Sequence, residues 1–97
     1  FYFKNKEGEN ITIYPDFIRR TVIVPDTSIE EYVVEQCALQ QIKVFIKSSN
    51  FGQDQQTLQK VFSQLFESYK IAGIQIHFFN HLPKLKGNKL RRIKRSF

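Results

Sequence analysis

"IKVFIKSSNFGQDQQTLQKVFSQLFESYKIAGIQIHFF", residues 42–79, is the stretch whose reading decides the fold. At its start Ile42, Val44 and Ile46 alternate with Lys43, Phe45 and Lys47, the period of two that a strand needs to turn one apolar face inward. "IQIHFF", residues 74–79, alternates in the same way at its end. Between them Leu58, Val61, Phe62, Leu65, Phe66 and Tyr69 recur at three- and four-residue steps, which makes one apolar stripe along a helix, and Gly73 is placed to end that helix in the left-handed conformation. Two strands flanking a helix within about forty residues form a βαβ unit, which requires a parallel pair and a right-handed crossover.

Upstream, Phe1 to Phe3 and Ile11 to Tyr14 are short β-prone runs joined by "KNKEGEN", whose Gly8 supplies the turn of a hairpin. "FIRRTVIV", residues 17–24, lies between Pro15 and Pro25 and is β-prone, which predicts a strand or an extended crossover. In "DTSIEEYVVEQCALQQ", residues 26–41, Ser28 and Glu31 have capping-box spacing, and Ile29, Tyr32, Val33, Gln36, Cys37 and Gln40 share one side of a predicted helix. The expected class is α/β: an N-terminal antiparallel hairpin, a βαβ unit and a basic C-terminal tail.

That tail, "KLKGNKLRRIKRSF", residues 84–97, holds seven Lys or Arg and no acid. The chain has 15 basic and 9 acidic residues, so removing the tail's seven leaves eight bases against nine acids in residues 1–83. The body is near neutral and the net charge of +6 belongs to the tail. This division predicts a body over 1–83 and a cationic arm over 84–97 that stays extended through self-repulsion and meets a polyanion. Lys84, Lys86, Lys89, Arg91, Arg92, Lys94 and Arg95 are the candidate phosphate contacts, each able to displace condensed counterions.

The loop Ser48 to Gln53 is a second candidate anion site, because it feeds the predicted N-terminus of the long helix, where free N–H groups and the helix dipole favour negative charge. Ser48, Ser49 and Gly52 are small enough for close approach, with Asn50 and Gln53 as polar contacts; Asp54 opposes this as an N-cap acid that would satisfy the same donors. Lys43 with Lys47, and Arg19 with Arg20, are secondary basic candidates.

Catalytic patterns are lacking: no paired carboxylates, no Ser/His/Asp order and no phosphate-binding glycine loop. His77 and His81 have no third ligand nearby in sequence, so neither metal nor cofactor is expected, and Cys37 reads as a buried thiol. No apolar run reaches the roughly 20 residues of a membrane span. The sequence contains no Met, so Phe1 is not an ordinary translation start and loss of an N-terminal segment is expected.

The order of these features resembles the eleventh protein of the small ribosomal subunit, the universal S-eleven family. "IKVFIKSSNFGQD" is similar to that family's strand and Gly-x-Gly-x-Gly-Arg-Glu loop, with Ser48 and Asn50 at Gly positions, Gly52 retained, and Gln53 and Asp54 in place of Arg-Glu. "AGIQIHFF" resembles its following strand, and "HLPKLKGNKLRRIKR" its basic close, with Pro83, Gly87, Lys89, Arg91 and Arg92 near family counterparts. The family's His-Asn-Gly-Cys-Arg segment is replaced by Lys84 to Lys89, and "TVIVPDTS" stands where a basic, Gly-rich loop is usual.

The resemblance implies a ribonuclease-H-like small domain without catalytic carboxylates. It implies a structural constituent of the small subunit that binds rRNA at the platform, with neighbouring small-subunit proteins as further partners and no membrane or small-molecule substrate. Abundant Phe, Ile, Lys, Asn and Tyr point to an AT-rich gene, hence a divergent mitochondrial member, with an AT-rich bacterium or another organelle as the alternative source. The competing functional expectation is an α/β protein-interaction adaptor whose basic tail docks on an acidic partner or an anionic membrane.

Overall fold

The computed structural model describes residues 1–82 and 92–95. These described residues form a small α/β domain of six strands in two sheets and two helices. In chain order these are β1 (Tyr2–Lys4), β2 (Asn10–Thr12), α1 (Pro15–Ile23), β3 (Ile29–Ala38), β4 (Gln41–Ser48), α2 (Phe51–Ser68), β5 (Gln75–Phe79) and β6 (Ile93–Arg95). The hairpin β1–β2 is a sheet of its own; the main sheet has the order β5-β4-β3-β6.

The decisive stretch folds as its periodicity predicts. β4 and β5 pair in parallel, Ile42 opposite Ile76 and Val44 opposite Phe78, with α2 as the crossover. Leu58, Phe62 and Phe66 are the buried stripe of α2 and meet Ile42, Val44 and Ile46 of β4 in one core, joined by Phe3, Ile13, Ile18, Val22 and Val34. Phe3 lies edge-on to Phe66 at 5.1 Å, which ties the hairpin to the helix.

Two segments differ from expectation. Residues 26–41 are not a helix: Ile29–Ala38 is strand β3, antiparallel to β4. Tyr32, Val34 and Gln36 face the core while Glu31 and Glu35 face away, a period of two that the apolar Val33 beside Val34 obscures. The turn at Leu39 and Gln40 contains no Gly, Asn or Asp, so the usual hairpin signal is missing. Ser28 and Glu31 form no capping box: the Ser28 N–H goes to Asp54 and the Glu31 carboxylate to Arg92.

Residues 17–24 are not extended either. Pro15 opens α1 where its fixed φ suits a first helical turn, Asp16 favours the dipole, and Ile18 and Val22, four apart, bury one face. Helix entry and a two-residue apolar stripe outweigh the β-branched content of this segment.

The end of α2 also departs from the prediction. Lys70, not Gly73, takes the left-handed position after the helix, at φ 58°. The Ile71 N–H donates to Phe66 O at 2.9 Å and the Lys70 N–H to Glu67 O at 2.9 Å, the paired bonds of a Schellman motif, while the buried side chains of Phe66 and Ile71 join the same core. Gly73, at φ 75°, serves the following turn into β5.

Side-chain amides fasten the hairpin to the main sheet. Gln36, fully buried, accepts the Tyr2 N–H at 3.0 Å and donates to Tyr2 O at 2.6 Å and Leu39 O at 3.1 Å. Two residues along β1, Gln40 accepts the Lys4 N–H at 3.0 Å and donates to Lys4 O at 3.3 Å and Ala72 O at 3.0 Å. Each amide presents one donor and one acceptor to a strand, so the two glutamines stand in for a missing neighbouring strand along the edge of β1.

Candidate functional site

Both helices contribute their buried faces to the core side of the main sheet, through Ile18, Val22, Leu58, Phe62 and Phe66. The opposite face carries the charged residues. Strand register aligns His77, Lys43, Glu35 and Lys94 in one row across β5, β4, β3 and β6. The next row is Phe79, Phe45 and Val33, and beyond it Lys47 lies opposite Glu31. Acidic β3 thus runs between two strands that carry cations. Opposite charges at directly facing positions favour this register over a slipped one.

The end of the basic tail belongs to this arrangement. Contrary to the expectation of an extended arm, residues 93–95 form β6, parallel to β3, with Val34 opposite Ile93 and Gln36 opposite Arg95. The Val34 N–H donates to Arg92 O at 2.6 Å. Ile93 packs against the core, an apolar contribution that the density of charge in the tail masks. Arg92 donates from Nε and Nη2 to the two carboxylate oxygens of Glu31, at 2.7 and 3.0 Å, and Lys94 Nζ lies 3.6 Å from a Glu35 oxygen. The Arg95 guanidinium sits 4.7 Å from the centre of the Tyr2 ring. Arg92 and Lys94 are therefore each paired with an acid of β3 within the body.

The hydrogen bond from Arg92 holds the Glu31 carboxyl below the usual glutamate range, and the same pairing raises the guanidinium of Arg92. Burial pushes the neighbouring Tyr32 phenol up. Lys84, Lys86, Lys89 and Arg91 lie outside the described residues.

The 48–53 loop has a different character from the predicted anion cradle. α2 already begins at Phe51, so Gly52 and Gln53 lie in its first turn, and Asn50, not Asp54, is the N-cap residue. Asp54 is 3% exposed and receives the Ser28 N–H at 3.1 Å together with the Ser48 hydroxyl. The Asn50 N–H donates to Ser48 Oγ at 2.9 Å, and the Asn50 amide to Gln53 Oε1 at 2.8 Å. A buried carboxylate occupies the ground where a phosphate was expected, and the loop's polar groups are turned on one another. Ser49 is exposed beside them.

Elsewhere, Lys47 makes an exposed ion pair with Glu30 at 3.5 Å, and Arg19 and Arg20 are exposed on α1. Phe45 stacks on Phe79 with ring centres 4.9 Å apart, and His81 meets both edge-on, so this histidine rests on an aromatic pair. His77 is exposed on β5. Cys37 is half-buried with its thiol 3.7 Å from Gln41 O. No helix among the described residues is long and apolar enough to cross a membrane.

Glu31 and Glu35 were not singled out by sequence reasoning. They share one face of β3, but residues 26–41 read as a helix in sequence and the contact between Glu31 and Arg92 spans 61 residues, so no local pattern marks them. Compared with known proteins, the chain matches no family model, no curated protein and no solved structure.

Proposed function

We propose that the chain is a small-subunit ribosomal protein that binds rRNA through its basic C-terminal segment, in the manner of the S-eleven family it resembles, and acts as a structural element without catalysis. The observation that carries this reading is the segregation of charge: residues 1–83 are near neutral, and the net charge of +6 is concentrated in the last fourteen residues. Lys84, Lys86, Lys89 and Arg91 are the leading phosphate contacts, because RNA with folded structure is recognised mainly through backbone and shape. Arg92, Lys94 and Arg95 join them once freed from β3. A strand, a small-residue loop, a long helix and a parallel strand in the order of 41–79 support the family resemblance and, with it, the ribonuclease-H-like topology. The platform of a mitochondrial small subunit is the proposed location.

The test is affinity for a structured small-subunit rRNA transcript as a function of salt, for the intact chain and a variant with Lys84, Lys86, Lys89 and Arg91 all changed to Gln. Four lost phosphate contacts reduce the slope of log affinity against log salt by about 3, at roughly 0.7 to 0.9 per contact. Equal slopes for the two proteins would remove the tail from the account.

A second reading, a protein-interaction adaptor, is favoured by one feature. A groove of about 410 Å³ between α1 and α2 is lined by Phe17, Val24, Pro25, Val61 and Leu65, with Arg20 at its edge. Phe17 and Val24 are exposed large apolar residues. A docked protein segment there is compatible with RNA binding through Arg92, Lys94 and Arg95, none of which lines the groove.

A further inference from the structure

The cations at the end of the tail have two possible counter-charges, and the fold supplies one of them. We propose that Glu31 and Glu35 form an internal acidic cradle that holds Arg92–Arg95 on the edge of β3 until a polyanion takes its place. The docked and polyanion-bound states of this strand then exclude one another. This rests on the reading of the tail as an RNA-binding element and adds its regulation.

Three observations carry it. First, the guanidinium fork of Arg92 is already spent on both oxygens of Glu31, and Lys94 lies against Glu35. A phosphate placed at the same donors would sit beside a carboxylate and be repelled. Second, a docked strand aims its cations apart: Lys94 faces the outer side with Glu35, while Arg95 lies over Tyr2 on the other side. One phosphate backbone cannot take up both cations while β6 remains paired; a released segment can turn both toward it.

Third, the docking is weak enough to be exchanged. β6 has three residues, and the Arg92 and Lys94 side chains remain 51% and 33% exposed. Ion pairs this open are screened by salt and contribute little individually, whereas phosphates along a nucleic acid offer several contacts at once with release of counterions. The cradle is therefore a competitor that lowers affinity for weak or isolated anions and yields to a dense array of them.

The test uses the full chain and two polyanions, a heparin oligosaccharide and a structured small-subunit rRNA transcript. Hydrogen exchange at the Val34 amide reports docking directly, because that N–H donates to Arg92 O. Saturating either polyanion abolishes the protection of Val34 in the unmodified protein. In parallel, E31Q/E35Q binds each polyanion about three- to tenfold more tightly than E7Q/E9Q, the range expected from removing two exposed ion pairs. The second variant has the same net charge and leaves the cradle intact, so it removes the effect of overall charge from the comparison.

Retained protection of Val34 at saturation, or equal affinity of the two variants, overturns the proposal. If Val34 is released by heparin but no form of the protein binds the RNA, the cradle stands and the ribosomal reading fails. If RNA binds while Val34 stays protected, the ribosomal reading survives and the cradle fails. Absence of binding to either polyanion overturns both.

Discussion

Arg92 grips Glu31 across 61 residues of sequence, donating from Nε at 2.7 Å and from Nη2 at 3.0 Å. The contact joins the end of the tail to the strand at the centre of the sheet, and it makes the position of β6 sensitive to acid. Hydrogen bonding to Arg92 lowers the Glu31 pKa in the folded state, so the pair contributes stability above the ordinary glutamate value, and that contribution is lost as pH falls through the folded value. Glu31 also takes the Tyr32 N–H at 3.2 Å, and Lys94 with Glu35 lies on the same face. The expected outcome is detachment of β6 as pH falls below the ordinary glutamate range, while the core persists. It is read from the Arg92 Nε–H and Ile93 methyl resonances between about pH 6 and about pH 3. Unchanged resonances over that range would show that the pair does not govern docking.

A second prediction concerns Asp54, which links the start of β3 to the end of β4 by taking the Ser28 N–H and the Ser48 hydroxyl from inside the first turn of α2. Asp54→Ala leaves a part-buried N–H and a hydroxyl without their acceptor and costs about 2–4 kcal/mol of stability, as hydrogen bonds to a charged group do. Asp54→Asn retains one acceptor and costs roughly half as much. Denaturant midpoints measure both. An Asp54→Ala protein as stable as its parent would mean that water replaces these bonds without loss.

The reading of residues 42–79 from sequence succeeded because there one period dominates: alternation in β4 and β5, and a six-residue apolar stripe in α2 that no strand could bury on one side. It failed at α1 and β3 because local patterns are ambiguous there. "TVIV" satisfies strand propensity while Ile18 and Val22 satisfy a helix, and only the position of Pro15 separates the two. In β3 the apolar pair Val33 and Val34 breaks the alternation, since Val33 is fully buried on the outer face beside Phe45. Such burial depends on neighbours that local sequence does not specify. The tail's charge was legible, but its partner was not: nothing in "RRIKR" announces that Ile93 docks and that β3 supplies two acids.

The glutamine pair gives a third prediction. Gln36 is fully buried and carries the hydrogen bonds of both Tyr2 backbone groups, whereas Gln40 serves Lys4 at a more exposed place. Gln36→Leu conserves most of the volume but strips the Tyr2 N–H and carbonyl of their partner, with an expected loss of about 2–3 kcal/mol. Gln40→Ala exposes its partners to water and costs less than about 1 kcal/mol. Equal losses in thermal or denaturant unfolding would refute the view that burial, not hydrogen-bond number, decides the value of each amide.

The last prediction is a gain. Lys70 holds φ 58° because the Schellman turn after α2 requires a left-handed residue, and a side chain at such a position carries a steric cost of about 1 kcal/mol that glycine escapes. The functional groups that Lys70 contributes to the turn are backbone ones: its N–H reaches Glu67 O, and its carbonyl accepts the Lys6 N–H at 2.8 Å from the hairpin. Both survive removal of the side chain. Lys70→Gly is therefore expected to stabilise the fold, by about 0.5–1 kcal/mol after the greater flexibility of glycine in the unfolded chain is subtracted. A higher denaturant midpoint with an unchanged slope confirms this. A lower midpoint would mean that the exposed lysine stem covers apolar surface at the helix end, and that this contact outweighs the backbone strain.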